Sequence, residues 1–429
     1  MKKWKKKVLA ATAAFLTAVL TVVSVSAASV DLNGVYSIST NDIPGWPAGP
    51  EISSSTGVLM EASTGTLVYS KGGDELRYPA SITKLMTLLV AVENCDLDET
   101  VTFTETGIRD IAPDSANIGM QLGETMSMED CLYALIIRSA NEVAAQVAEY
   151  VGGTEQSFID MMNARAEKIG CVNTHFTNAN GLPDENHYTT AKDMALIFRE
   201  CLKNKTCRKI LKTSTYYIEP TNMNGEQRKL HTHHPLLAKE SPLYYEGCIG
   251  GKTGMTIDAG HTLVTGVKKD GVTYIAVVMR AADLNQACLD SRLLFDYGYA
   301  NFQKTEYKNG TVIIPANTDV STLTSQEENV NGKNMECYYL SGYQVGTGSV
   351  SVPTPTVEVV EEAADGDAEP LYTETEATEK KTDSPSNEKG LSDLSKILLA
   401  VMGAMVVLLV VLLIALAIKN KKHENKHKK

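Results

Sequence analysis

The chain is poor in aromatic residues. Phe, Trp and Tyr make up 6% of 429 residues, and the only tryptophans are Trp4 and Trp46. Two are too few for a surface that stacks on sugars. A net basic charge is also lacking, since Lys and Arg number 40 against 52 Asp and Glu and the formal net charge is −12. That argues against a nucleic-acid partner, which needs a basic footprint. No internal repeat stands out. Long apolar runs occur only near the two termini, which excludes a multi-pass membrane protein. Cysteine is present without a framework: Cys95, Cys131, Cys171, Cys201, Cys207, Cys248, Cys288 and Cys337 are spread widely. An even number permits disulfides outside the cell but assigns no pairs. Cys131, Cys171 and Cys201 fall in helix-like apolar patterns and fit ordinary buried thiols.

Apolar residues make up 43%, enough for a large core, and the chain is too long for one average domain. Its charge is unevenly placed. Residues 1–27 carry five lysines and no acid, and 419–429 carry six lysines and one Glu. The first stretch has a basic start at Lys2, Lys3, Lys5, Lys6 and Lys7, then an apolar run. Val25-Ser26-Ala27 follows as a small-x-small cleavage site, so 1–27 reads as a signal peptide. An uncleaved anchor is the lesser alternative. Residues 397–418 contain no charge. At ~1.5 Å per residue they span a ~30 Å hydrocarbon core. Lys419, Lys421 and Lys422 follow, which predicts a basic cytoplasmic tail at 419–429 and residues 28–396 outside. Residues 353–396 hold twelve acids and four bases among Pro, Thr and Ser, and predict an acidic disordered stalk. The expected location is therefore the cell membrane, with one C-terminal helix in the lipid.

Residues 28–49 form an N-terminal extension, and 50–301 form the globular body. Strands are expected at 56–61 and 66–70, with Ser63-Thr64-Gly65 between them. Helix patterns follow at 81–93, 128–151, 155–169 and 191–203. Strands at 261–268 and 272–279 flank Lys269-Asp270-Gly271, a hairpin signal. A closing helix is expected at 284–301. Strands at both ends of a helical middle predict an α+β fold: one antiparallel sheet flanked by helices. Residues 302–352 read as a small β-rich appendage, with short alternating stretches at 311–314 and 337–340.

Three short motifs carry chemistry. In Tyr78-Pro79-Ala80-Ser81-Ile82-Thr83-Lys84, Pro79 can open a helix and puts Ser81 in its first turn. Ser81 and Lys84 are three apart and share a face. A serine hydroxyl is a weak nucleophile until a base takes its proton. Lys84 can be that base if burial or a second cation lowers its pKa. Ser139-Ala140-Asn141 lies on a turn between two apolar helical runs. Gly250-Gly251-Lys252-Thr253-Gly254 stands just before the C-terminal strands, and its glycines let a ligand backbone approach. It is not a phosphate loop, because the four-residue spacer and the following helix are missing. Singly these motifs are weak. A Ser-x-x-Lys is often a cap beside a surface lysine, and Ser139 or Asn141 alone fits a helix cap.

In this order the set is specific. The chain resembles the D-alanyl-D-alanine carboxypeptidases, low-molecular-mass penicillin-binding proteins of serine type, over roughly residues 50–300. Further stretches agree: Thr87, Gly119-Met120-Gln121-Leu122-Gly123-Glu124, Asn180-Gly181-Leu182-Pro183 and Ala259-Gly260. The resemblance implies a β-lactamase/transpeptidase-like fold and an acyl-enzyme route on peptidoglycan stem peptides. Ser81 would be the nucleophile and Lys84 the base. Ser139 would pass the proton on, and Asn141 would hold Lys84 and the substrate amide. Lys252 would keep the site positive, and Thr253 would grip the terminal carboxylate beside Gly254. Backbone N–H groups of Ser81 and Met255 would form the oxyanion hole. β-Lactams would acylate Ser81 as substrate mimics. Ala140 replaces the usual Gly, and Asn180 stands where many members have His. The C-terminal β region is short beside the family's usual domain. An apolar span replaces the family's frequent amphipathic anchor.

No cofactor or metal is expected. His231, His233 and His234 form a tract, but no Cys or carboxylate partner stands at ligand spacing. Glu219-Pro220-Thr221 resembles the start of the β-lactamase loop with the deacylating Glu. Met223 replaces the Asn expected there, so Glu219 reads as a surface residue. Other readings are an endopeptidase or β-lactamase on the same fold, or a catalytically silent wall-binding protein. Intact motifs argue against the last.

Overall fold

A computed structural model describes residues 29–350, apart from 110, 112–114 and 331. The expected signal peptide, stalk, membrane helix at 397–418 and basic tail lie outside the described residues. No helix among the described residues is long and apolar enough to cross a membrane.

β1 (Thr56–Glu61) and β2 (Leu67–Lys71) form the first hairpin. It turns at Gly65, whose φ of +79° suits glycine. Two short pairs lie in the helical middle: β3 (Thr100–Thr102) with β4 (Thr125–Ser127), and β5 (Thr215–Ile218) with β6 (Arg228–His231). β7 (Cys248–Thr256), β8 (Gly260–Lys269) and β9 (Val272–Ala281) complete the main sheet. Its order is β2-β1-β9-β8-β7, antiparallel throughout. Lys269 pairs with Val272 across Asp270-Gly271, with φ +48° and +80°. Positive φ at both positions is the two-residue hairpin turn that Asp-Gly favours.

The sheet alternates between two cores. Val58, Met60, Val264, Ile275 and Val277 face the helices. Leu59, Leu263, Tyr274, Ala276 and Val278 face the opposite side, where the Leu284–Asn301 helix packs. The Lys84–Asn94 helix is buried from Lys84 to Ala91. A helix apolar on nearly all sides belongs inside a domain. Polar caps set other starts: Thr154 accepts from the Ser157 N–H, and Thr190 from the Asp193 N–H.

Two expectations need correcting. The helix expected over 128–151 is broken. An α-helical turn (Met128–Tyr133) runs into a π-helical turn (Ala134–Arg138), and Ser139 sits left-handed at φ +59° before a new helix (Asn141–Gly152). The Gly250–Gly254 motif lies within β7, not ahead of the strands. Glycine spacing hid that strand from a pattern search.

The region after 301 is a second five-stranded antiparallel sheet. It comprises β10 (Phe302–Tyr307), β11 (Gly310–Pro315), β12 (Thr324–Val330), β13 (Lys333–Leu340) and β14 (Tyr343–Ser349), in the order β10-β11-β14-β13-β12. Its apolar residues share one core with the outer face of the main sheet. Trp46 joins the two, with its ring 5.1 Å from Phe302 and 5.3 Å from Tyr343. All eight cysteines are free thiols, and Cys131, Cys171 and Cys201 are buried.

Candidate active site

Pro79 precedes a 3₁₀ turn (Ala80–Thr83) that leads into the Lys84–Asn94 helix, so Ser81 stands at that helix's entrance. Ala80 is held at φ +51°. Gly181 packs against it so closely that a Cβ there would lie 2.0 Å from the Ala80 carbonyl oxygen. From the other side, Thr262 Oγ1 donates to the Pro79 carbonyl at 2.9 Å. A Cβ on Gly254 would lie 2.9 Å from the Ser81 nitrogen. The nucleophile segment is thus clamped between a loop and β7, the edge strand of the sheet.

Lys84 is fully buried. Its Nζ donates to Ser81 Oγ at 3.1 Å, to Asn141 Oδ1 at 2.7 Å and to the Asn180 carbonyl at 2.5 Å. Asn141 opens its helix, and its Nδ2 donates to Ser115 Oγ at 2.8 Å. With the amide hydrogens facing Ser115, the Asn141 carbonyl oxygen is directed at Lys84. Lys252, on β7, is 3% exposed. Its Nζ donates to Ser139 Oγ at 3.1 Å and to the Thr253 carbonyl at 2.8 Å. Burial pulls its pKa down to about 7.

Ser81, Ser139, Asn141, Thr253, Gly254 and Met255 line one open cleft of about 570 Å³. Lys84 and Lys252 lie behind it and bond to two of its serines. All eight residues expected at the site are therefore brought together. Such a cleft can deprotonate a serine, shelter an acyl-enzyme and attract an anionic end group.

Ser115 escaped the sequence reading. It sits in an irregular loop with no motif, and only the fold carries it to Asn141. Glu142, next in the chain, is fully buried, and its Oε1 accepts from the Ile118 N–H at 2.7 Å. Burial raises its pKa. The carboxyl group thereby ties the Ser115 loop to the Asn141 helix. The π turn before Ser139 is also invisible to an α-helical period. Such turns recur at functional sites because they re-aim the next residue.

The histidine tract disperses. His231 pairs with Glu240, and His233 Nε2 lies 2.8 Å from Arg138 Nη1. His234 is buried with Nε2 3.0 Å from Thr265 Oγ1. No cluster of three His, Cys, Asp or Glu suited to a metal ion occurs among the described residues. Glu219 is exposed, accepts from Gln227 Nε2, and does not line the cleft.

An α+β sheet with a Ser-x-x-Lys helix against its edge strand is the penicillin-binding transpeptidase fold. The family model for D-alanyl-D-alanine carboxypeptidase, a serine peptidase family, matches residues 44–283. The chain belongs to that family. It is 28% identical over 296 residues to D-alanyl-D-alanine carboxypeptidase DacF of Bacillus subtilis, covering 65% of this chain and 74% of that protein. It superposes on the crystal structure of the Streptomyces K15 DD-transpeptidase with a TM-score of 0.55 and 28% identity, over 59% of this chain and 100% of the other. D-alanyl-D-alanine carboxypeptidase DacD from Francisella tularensis shares the fold with a TM-score of 0.58 at 23% identity, over 70% of this chain and 93% of that one.

Proposed function

We propose that this family member removes the terminal D-alanine from peptidoglycan stem pentapeptides through an acyl-enzyme on Ser81. The observation that carries the roles is the bond between buried Lys84 and Ser81 Oγ. Lys84, as the amine, takes the Ser81 proton, and Oγ attacks the carbonyl between the two D-alanines. Asn141 and the Asn180 carbonyl hold Lys84 in reach of Oγ. The backbone N–H groups of Ser81 and Met255 receive the developing oxyanion. Ser139, bonded to Lys252, relays the proton taken up by Lys84 to the departing amine, which returns Lys84 to the free amine. Thr253 and the Lys252 charge grip the leaving residue's carboxylate. Water then attacks the ester and frees Ser81. β-Lactams enter the same cleft as substrate mimics and acylate Ser81. We read 1–27 as an export signal, 353–396 as a spacer and 397–418 as a membrane anchor, which would place the body outside the cell.

The test is D-alanine release from a stem pentapeptide ending in D-Ala-D-Ala, using the full chain. Wild type should release D-alanine and label with a fluorescent penicillin. Ser81→Ala should do neither, and Lys84→Ala should lose at least a thousandfold in kcat/KM, as for other activated nucleophiles. Release by Ser81→Ala would refute the assignment of the nucleophile.

A further inference from the structure

A second open groove, of about 700 Å³, shares no lining residue with the catalytic cleft. It lies beyond the first residues of β7. Ile249 in its wall is five residues from Gly254, or ~17 Å along a strand. Eight of its fifteen lining residues are Lys or Arg, in a chain whose net charge is −12. The one acid, Glu61, is fully buried, accepts from Ser63 and from Thr64, and pairs with Lys304 at 3.6 Å. A neighbouring cavity of about 480 Å³ shares Lys212, Ile249 and Lys268 and adds Lys239. Together they make a continuous basic trough.

The local sequence explains the charge. The Lys205–Lys212 helix buries Cys207, Ile210 and Leu211 on one side. That spacing turns Lys205, Arg208, Lys209 and Lys212 outward. Lys268 reaches in from β8 and Lys304 from β10. Five of the eight are already engaged: Arg199 donates to the Ala62 and Ser63 carbonyls, Arg208 to those of Leu202 and Lys203, and Lys203, Lys209 and Lys304 pair with Glu200, Glu129 and Glu61. Lys205, Lys212 and Lys268 are exposed and form no ion pair among the described residues.

These features select among anions. Lysine ammoniums are point charges that suit phosphate without demanding a planar, bidentate partner. The larger groove has no aromatic lining residue and the smaller cavity adds only Tyr244, so the trough lacks the run of aromatic rings that stacks successive bases. The cations line a concave trough, which fits a thin chain better than a flat bilayer.

We propose that this trough binds a linear, base-free phosphodiester polymer. The polymer would hold the catalytic cleft near anionic material of the surface on which the enzyme works.

Fluorescence anisotropy with labelled inorganic polyphosphate tests this on the full chain in detergent. Lys205→Glu, Lys212→Glu and Lys268→Glu are combined in one variant. A control reverses three exposed lysines elsewhere, Lys168, Lys229 and Lys333, for the same change in net charge. Wild type and control should bind alike. The trough variant should bind at least tenfold more weakly and lose about 2 from the slope of log K against log salt. Unchanged penicillin labelling and thermal unfolding would show that the variant is folded. Equal loss in both variants, or no binding by wild type, overturns the proposal. Capture by phosphatidylglycerol vesicles without polyphosphate binding also overturns it, by assigning the trough to a lipid surface.

Discussion

At the scale of single residues, the site pays for its charge. Lys252 is buried, its Nζ donates to Ser139 Oγ and the Thr253 carbonyl, and its pKa falls to about 7. Unfolded, a lysine keeps its proton to ~10.4. Between those values the unfolded chain holds more protons, so the penalty of burying this charge is full and constant below about 7 and is relieved as pH rises towards ~10.4. Function runs the other way, because gripping a carboxylate needs the ammonium. For a stem peptide, kcat/KM should decline above about pH 7, approaching tenfold per pH unit. Lys252→Arg stays charged and should extend the plateau. A Lys252→Arg profile that falls at the same pH would remove Lys252 as the source of the limb. Ser115→Ala tests the support beneath Asn141. Losing one hydrogen bond of ~1 kcal/mol should slow penicillin acylation about fivefold. The melting temperature should barely move, since Ser115 is only half-buried. Unchanged acylation would mean that Asn141 keeps its orientation without Ser115.

At the scale of elements, the nucleophile's position depends on two contacts far apart in the chain. Gly181, at φ +85°, leaves room for the Ala80 carbonyl, and Gly254 leaves room for the Ser81 nitrogen. Gly181→Ala would strain both its own backbone and that contact, at a cost of ~1–3 kcal/mol. Acylation by penicillin should slow more than tenfold, and thermal unfolding should shift down. Full acylation rate in a folded Gly181→Ala protein would show that the loop does not place Ser81. The helices and strands of the body were mostly legible from period and punctuation. The Glu155–Ile169, Ala191–Lys203 and Leu284–Asn301 helices have the expected bounds. The misses have local causes. β3, β4, β5 and β6 are too short to show a period. β7 is interrupted by Gly250, Gly251 and Gly254, which the site needs for close approach. The π turn at Ala134–Arg138 follows no α-helical period.

At the scale of the whole molecule, the second sheet is built into the body. Trp46, from the N-terminal extension, packs on Phe302 and Tyr343 and donates through Nε1 to the Val68 carbonyl at 2.9 Å. Tyr343 OH in turn donates to the Leu67 carbonyl at 2.9 Å. Trp46→Ala should cost ~3–5 kcal/mol and lower the melting temperature of the catalytic body with the rest. Two separated transitions in calorimetry, with the penicillin-binding one unmoved, would show that the sheets unfold independently.

The sequence by itself determined the class of chemistry, because a serine nucleophile, its lysine base and a cationic strand motif are residue identities in a fixed order. It also determined the α+β plan, since apolar periods of two and near four are local properties. Tertiary structure alone decided which groups meet. Lys84 reaches Asn141 across 57 residues and the Asn180 carbonyl across 96. Ser115 reaches Asn141 from a loop without a motif, and Lys252 meets Ser139 across 113 residues. The basic trough, likewise, gathers lysines from two helices, a loop and two separate sheets. Such contacts depend on how faces pack, and packing is a property of the assembled core that no window of sequence contains.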